Sequence, residues 1–420
     1  MRYLASPANA VVSAINTLLF LSYIASGDIG DPVSQIYLWN LCLISIVVFG
    51  FGHEAGIINS NAVTDQDNDK RAKNTVIMYF LGISLAVLIL RDFVNILICV
   101  YVLSSSVFKQ LSGRFYINGK YASEYVRLIV NIFILISVVS MKFNFMDYSY
   151  EAMVIQILFI LPFIGLLYLI FQERMIEKRL SLRAISTDFN YYCISVTTIC
   201  FTYLDTLIFT FAEFDVSQDG NYIVMTIYLK LGMLVGILSS AIFRVYQRIL
   251  ANTWEASEGK YFTKIKLVER KLVLCLWLFA IVLVTLLPNF KHILSNYFGL
   301  ESIKVFDIDY RRILIILFYF TVTRGVFTDL SILNLTFGRH TRLKVSFVAG
   351  VFGLICAFSL SLLEFDFITV FGVSYVVQFS LYRLFVHALC WRVHSFVSWP
   401  GIIHTLGSLL VFIVGNYWFT

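Results

Sequence analysis

"QERMIEKRLSLR" (Gln172–Arg183) is a polar, mostly basic run set between two long apolar stretches, "YEAMVIQILFILPFIGLLYLIF" (150–171) and "FNYYCISVTTICFTYLDTLIFTF" (189–211). Each flank is long enough to cross a bilayer, since a span takes about 20 predominantly apolar residues. The run therefore reads as a linker on one membrane face, and the way the chain divides around it decides the fold. Toward the N-terminus, apolar segments fall near 4–25, 33–59, 74–90, 92–110, 124–142 and 150–171. Toward the C-terminus they fall near 189–212, 220–245, 270–288, 313–336, 344–363, 366–390 and 399–418. The pattern predicts an all-α polytopic membrane protein with about 12 core spans in two six-helix bundles and a thirteenth helix at the C-terminus. The predicted domains are 1–171, a basic linker at 172–188, 189–392, and an extra helix within 393–420. One junction stays open: "LRDF" (Leu90–Phe93) reads either as a tight turn or as a charged pair inside one kinked helix.

Composition demands the same class. Of the 420 residues, 59% are hydrophobic, 16% aromatic and only 14% charged, with a mean hydropathy of +0.82. A soluble domain carries about a quarter charged residues, so there is not enough polar surface here to face water all round. The seven cysteines lie in apolar segments without a CxxC pair or a nearby metal-spaced histidine. They read as small buried residues, not as a disulfide framework or zinc site. The first apolar segment has no small-residue cleavage site and is expected to be retained as a span. No loop is long enough to hold a soluble catalytic domain, which argues against an enzyme and for a transporter without a cofactor.

Charge sets the expected orientation. With a cytoplasmic N-terminus, most of the 32 basic residues fall on the inward side, including Arg383 and Arg392 in the last inward segment. Only Arg91, Lys142, Lys291, Lys304, Arg311 and Arg312 fall outward, and Lys230 and Arg324 lie within spans. This inside-positive bias predicts a multi-pass protein of a plasma membrane with its N-terminus in the cytoplasm. The net charge of +6 then belongs to topology and calls for no nucleic acid. The outward loop near 289–312 is the longest on that side.

The two halves are weakly alike. "VFKQLSGRFYINGKYASEYVRLIV" (107–130) and "ILNLTFGRHTRLKVSFVAG" (332–350) both pass from an apolar helix through a Gly-Arg-containing inward loop into another helix. Paired halves of this kind place a substrate site between them near the bilayer midplane.

Three stretches carry a family resemblance: "VVFGFGHEAGII" (47–58), "YLDTLIFTFAEFDVSQDGNYIVMTIYLKLGMLVGILSSAIFRVYQRIL" (203–250) and "FGRHTRLKVSFVAGVFGLICAFSLSLLEFDFITVFGVSYVVQFSLYRLF" (337–385). In layout the chain resembles the multidrug/oligosaccharidyl-lipid/polysaccharide (MOP) exporter superfamily, in particular its polysaccharide-transporter branch of Wzx-type O-antigen flippases. It departs from that pattern in the thirteenth span and the weak third and fourth. The resemblance implies a V-shaped two-bundle fold working by alternating access in a bacterial inner membrane. It also implies an undecaprenyl-pyrophosphate-linked oligosaccharide, an O-antigen or capsule repeat unit, as the substrate. Membrane lipids and other polysaccharide-assembly proteins would be the partners.

Ionisable groups at membrane depth are rare and default to function. At about 1.5 Å of rise per residue, Asp205 lies about 10 Å from the outer end of its helix, Lys230 and Arg324 about 15 Å, and Asp329 about 24 Å. Asp205 and Lys230 sit on consecutive antiparallel helices. They read either as a neutralising pair or as a phosphate contact, Lys230, with the acid that resets it, Asp205. Arg324 and Asp329 are five apart, about 140° around one helix, so they do not simply satisfy each other. Arg324, with its bidentate fork, is the leading candidate for a pyrophosphate contact. Arg244 reads as a headgroup contact or as part of the inside-positive belt. Glu54, Asp329 and His53 are candidates for proton or ion coupling; for Glu54 and His53, near the inner interface, the alternative reading is a pair of solvated groups, and no metal site is expected. Two other functions stay in view. A multidrug or other exporter of the same superfamily would want a mostly acidic cavity for cations. An O-antigen polymerase-type membrane glycosyltransferase would want a long outward loop with arginines.

Overall fold

The computed structural model describes residues 5–25, 31–49, 65–117, 120–142, 148–173, 189–211, 220–230, 232, 250, 252–297, 309–324, 329 and 332–418. Among these residues the chain is nearly all helical, a polytopic all-α membrane protein. Eight helices are long and apolar enough to cross a bilayer, and two shorter apolar helices cover Ala8–Leu21 and Pro32–Val48. The chain forms two compact units, Met1–Ile199 and Cys200–Thr420.

In the first unit the helices are α1 (Ala5–Ala25), α2 (Pro32–Phe49), α3 (Asp65–Ile89), α4 (Phe93–Ile117), α5 (Ala122–Lys142) and α6 (Tyr148–Gln172). Helix α4 is the hub, packing on α2, α3, α5 and α6, while α1 lies against α5. Its ring of large side chains explains why. Tyr101 of α4 meets Phe20 of α1, Trp39 of α2 and Phe159 of α6 at centroid distances of 4.7, 5.3 and 5.2 Å. Edge-to-face contacts of this kind add to burial when helices cannot rely on water to drive them together. The outward faces of the same helices stay apolar and exposed, as at Leu88, Ile129, Phe133 and Phe171, which suits contact with lipid. The "LRDF" junction is a turn: α3 stops at Ile89, and Asp92 accepts the Asn95 amide at 3.1 Å to start α4.

A helix straddles the boundary between units: α7 (Phe189–Thr202), which bends at Tyr203 and continues as α8 (Leu204–Phe211). The expected single span at 189–212 is therefore two shorter rods. A carbonyl in the last turn of α7 has no amide four residues on within its own rod. Cys200 meets this need by accepting from Gln378 Nε2 at 3.0 Å.

The second unit continues with α9 (220–230), α10 (Glu258–Tyr297), α11 (Tyr310–Arg324), a π-turn at Leu333–Phe337, α12 (Gly338–Leu362), α13 (Phe367–His394) and α14 (Trp399–Trp418). Helix α10 has 40 residues, so it begins well before the apolar run expected at 270–288 and absorbs the first part of the loop expected at 289–312. Helices α12 and α13 form a hairpin whose turn places Glu364 at φ 58°, and Asp366 caps α13 by accepting from Thr369 N at 3.1 Å. The hairpin closes tightly at Gly353, where a Cβ would lie 2.9 Å from Gln378 Cβ. Helix α14 packs on α10, α11 and α13. Its range coincides with the expected thirteenth span, and Trp399–Asn416 has the length and composition of a span. The expected reading of all cysteines as buried holds for Cys42, Cys99 and Cys390; Cys193, Cys200 and Cys356 are half-buried, and Cys275 is exposed because it lies on the outward face of α10.

Candidate functional site

Two groups of buried polar side chains lie in the second unit. The first surrounds Asp205. The bend at Tyr203 puts this acid in the first turn of α8, where backbone amides have no intrahelical acceptor and the helix dipole favours a carboxylate. Asp205 is 4% exposed, and Thr226 Oγ1 of α9 donates to its Oδ2 at 3.2 Å. Lys230, one turn further along α9, acts on the same carboxylate through its charge. Its ammonium stands 5.1 Å from the centroid of the Tyr203 ring, a cation–π distance. Asp205, Thr226, Tyr203 and Lys230 thus form one cluster at the α8–α9 hairpin.

The second group is a buried charge cluster that the charge pattern alone does not reveal. Arg383 of α13 is 2% exposed as a side chain, with Nη2 3.0 Å from Glu269 Oε1 of α10 and Nε 3.1 Å from Asp329 Oδ2. Ser398 donates a short hydrogen bond to the other Glu269 oxygen. Helix α14 comes close because its residue 401 is glycine: a Cβ there would lie 2.6 Å from Glu269 Oε1 and 2.8 Å from the His387 ring. Further along both helices, Trp277 Nε1 of α10 donates to His404 Nδ1 of α14 at 2.8 Å. Four separate segments are tied here by ionic and hydrogen bonds whose alternative is a bare buried charge. Among the described residues, Asp329 Oδ1 and His387 Nε2 are buried without a hydrogen-bond partner. Glu269, Asp329 and His387 present ligand atoms within 4.8 Å of one another, a donor set a cation could use. The Arg383 guanidinium already supplies positive charge to both acids.

The first unit holds a comparable knot. Arg127 Nη1 lies 3.3 Å from Glu124 Oε1 on α5. Asn9 of α1 donates to the Glu124 carbonyl at 2.7 Å and to its carboxylate, while Asn131 donates to Asn9 Oδ1 at 3.1 Å. The pairing of α1 with α5 is therefore polar at its centre as well as apolar.

Of the expected site residues, the structure brings Asp205 and Lys230 together and sets Asp329 against Arg383, a partner from another helix. Arg324 is the last residue of α11. His53, Glu54 and Arg244 lie outside the described residues. Two arginines that the charge pattern counts on the inward side, Arg127 and Arg383, are buried ion-pair partners: Arg127 meets Glu124 one turn away on its own helix, and Arg383 meets Glu269 across a helix contact. The residues missed were Glu269 and Arg383. The signal was present: an arginine well inside the long apolar segment 367–394, and a lone acid in "KLVERKLVL" (266–274).

No protein-family model matches the chain, and no curated protein matches it in sequence. Solved structures do match in fold. A mutant of the Vibrio cholerae MATE transporter VcmN is similar at 11% identity with a TM-score of 0.55, over 98% of this chain and 95% of that one. A MATE in the bent conformation matches at 10% identity and a TM-score of 0.50, over 98% and 94%. A point mutant of a MATE matches at 10% identity and a TM-score of 0.50, over 99% and 97%. The fold is thus that of the MATE transporters, along nearly the whole length of both chains. At this identity the likeness is one of architecture.

Proposed function

We propose that this chain is a membrane exporter of the MOP superfamily, and within it a flippase for an undecaprenyl-pyrophosphate-linked oligosaccharide working by alternating access. The observation that carries the exporter reading is the fold shared with MATE transporters over 98% of the chain. The flippase reading rests on cations in the second unit that would meet a diphosphate. Lys230 sits beside a tyrosine ring and a buried acid, and Arg324 ends α11. In this reading Lys230 and Arg324 engage phosphate oxygens. Asp205, held by Thr226, keeps Lys230 in place when the substrate has left. Arg383 is not a substrate group in this scheme, since two carboxylates already claim it. Those carboxylates give the buried cluster an acidic excess, which favours a second reading as an exporter of cationic compounds.

The test is to remove the protein from its host and follow the lipid-linked sugar. Single units accumulating on the inner leaflet support the flippase. Single units capped onto outer-leaflet lipid, without polymer, point to a polymerase and overturn it. Unchanged sugar lipids together with raised sensitivity to cationic drugs favour the second reading. For the site, a well-expressed Arg324→Ala protein with full transport removes the phosphate role assigned to that residue.

A further inference from the structure

The first turns of α10 carry a dense basic pattern, "KYFTKIKLVERK" (260–271), before the helix becomes apolar. This end of α10 and the start of α14 enclose a groove of about 700 Å³ lined by Lys260, Lys264, Lys266 and Arg270 together with Leu267 and Pro400. Among the described residues no carboxylate pairs with any of the four cations. Lys264 reaches only Thr253 Oγ1 at 3.4 Å, and Lys266 stands 5.1 Å from the centroid of the Phe396 ring. Lys260, Lys266 and Arg270 are exposed.

The groove does not end in water. Leu267 is 55% exposed, and Leu274, Leu278 and Ile281 continue its line at 62%, 56% and 47% exposed. At about 100° per residue all three lie within about 40° of Leu267 on the helix face. The candidate span Glu258–Leu287 starts at the groove, so this stripe runs straight from the cations into the hydrocarbon. Trp391 and Trp399, both well exposed, lie at the adjoining ends of α13 and α14, where amphipathic rings mark a headgroup layer.

A ligand for this surface needs an anionic head, for unpaired cations, and an apolar tail, for the stripe beneath them. Free phosphate or an acidic peptide satisfies only the first. We infer that the groove holds the acidic headgroup of a bilayer glycerophospholipid, with its acyl chains lying along Leu267, Leu274 and Leu278. The inside-positive rule puts this basic end of α10 at the anionic cytoplasmic leaflet, where such lipids are at hand.

The test uses the full chain purified in detergent and titrated with phosphatidylglycerol or phosphatidylcholine, with bound lipid counted by native mass spectrometry. Phosphatidylglycerol should bind preferentially, and the preference should shrink as salt rises. Each surface cation contributes about fivefold in affinity for an anionic lipid. The double variant Lys260→Gln/Arg270→Gln should therefore lose about 25-fold for phosphatidylglycerol and little for phosphatidylcholine, with unchanged thermal stability because both side chains are exposed. Lys260→Arg should bind as the wild type does. A double variant that keeps its preference within about twofold overturns the site. So does one-for-one displacement of phosphatidylglycerol by undecaprenyl diphosphate, which would give the groove to a transported substrate instead. These outcomes do not depend on transport, so they separate this site from the flippase reading.

Discussion

Replacing Arg383 by methionine tests the buried charge cluster directly. The guanidinium contacts Glu269 at 3.0 Å and Asp329 at 3.1 Å, and all three side chains are at most 4% exposed. At an effective dielectric of about 20, each such contact carries about 5 kcal/mol of Coulomb attraction. Desolvation of the three groups offsets most of this gain, so the intact cluster is nearly neutral for stability. Removing the cation alone leaves two carboxylates uncompensated in a low-dielectric site, with an expected loss of about 3–5 kcal/mol. That loss should appear as a sharply lower thermal midpoint in detergent and a lower yield of membrane-inserted protein. The triple variant Arg383→Met/Glu269→Gln/Asp329→Asn removes the stranded charges along with their partner, and should recover most of the stability. An Arg383→Met protein that melts with the wild type would refute the reasoning. A triple variant no better than the single one would do the same.

Other perturbations reach different parts of the fold. Trp277→Phe removes the donor to His404 Nδ1 and leaves a buried acceptor unmade, so it should destabilise by about 1–3 kcal/mol; an unchanged melting midpoint would count against that bond. Gly353→Ala drives a methyl to 2.9 Å from Gln378 Cβ, and the overpacking should cost about 1–3 kcal/mol despite the better helix propensity of alanine; a more heat-resistant protein would contradict this. At the N-terminal ends of α11 and α13, Arg312 Nη1 lies 3.0 Å from Asp366 Oδ2. Burial pushes the Asp366 carboxyl up, but hydrogen bonds from Arg312 and Thr369 outweigh it and hold the group below its ordinary range. A depressed folded-state pKa contributes stability above the unfolded value of about 3.9, and that stability is lost as pH falls through the folded value. Arg312→Gln should therefore destabilise by about 0.5–1 kcal/mol at pH 7, with the difference from wild type vanishing on acidification below about pH 4. A difference that stays constant from neutral to acid pH would exclude this linkage.

The layout was legible in sequence because bilayer thickness imposes one length on every span. The expected segments at 4–25, 124–142 and 399–418 fall within a few residues of α1, α5 and α14. Where charge meets helix, length stops being informative. Glu258–Arg270 reads as a polar loop by hydropathy, yet it is helical and continuous with the span that follows. Asp205 and Lys230 were legible as a pair because sequence neighbours on a hairpin are neighbours in space. Arg383 was not, because its partners Glu269 and Asp329 come from elsewhere in the chain, and a basic residue toward the inward half of an expected span reads as part of the inside-positive belt. Its burial is a property of how α10, α13 and α14 converge, and hydropathy carries no information about that.

The bend at Tyr203 has a meaning for bilayer thickness. The rods on either side, of 14 and 8 residues, rise about 21 and 12 Å, and neither crosses about 30 Å of hydrocarbon alone. Joined, they match that thickness, and the backbone carbonyl at the joint finds a donor away from water in Gln378, 178 positions further along the chain. The joint is thus a feature that the α7 and α8 sequences do not own. A leucine at position 378 would leave every local helix signal intact and remove the amide that lets the chain turn inside the membrane.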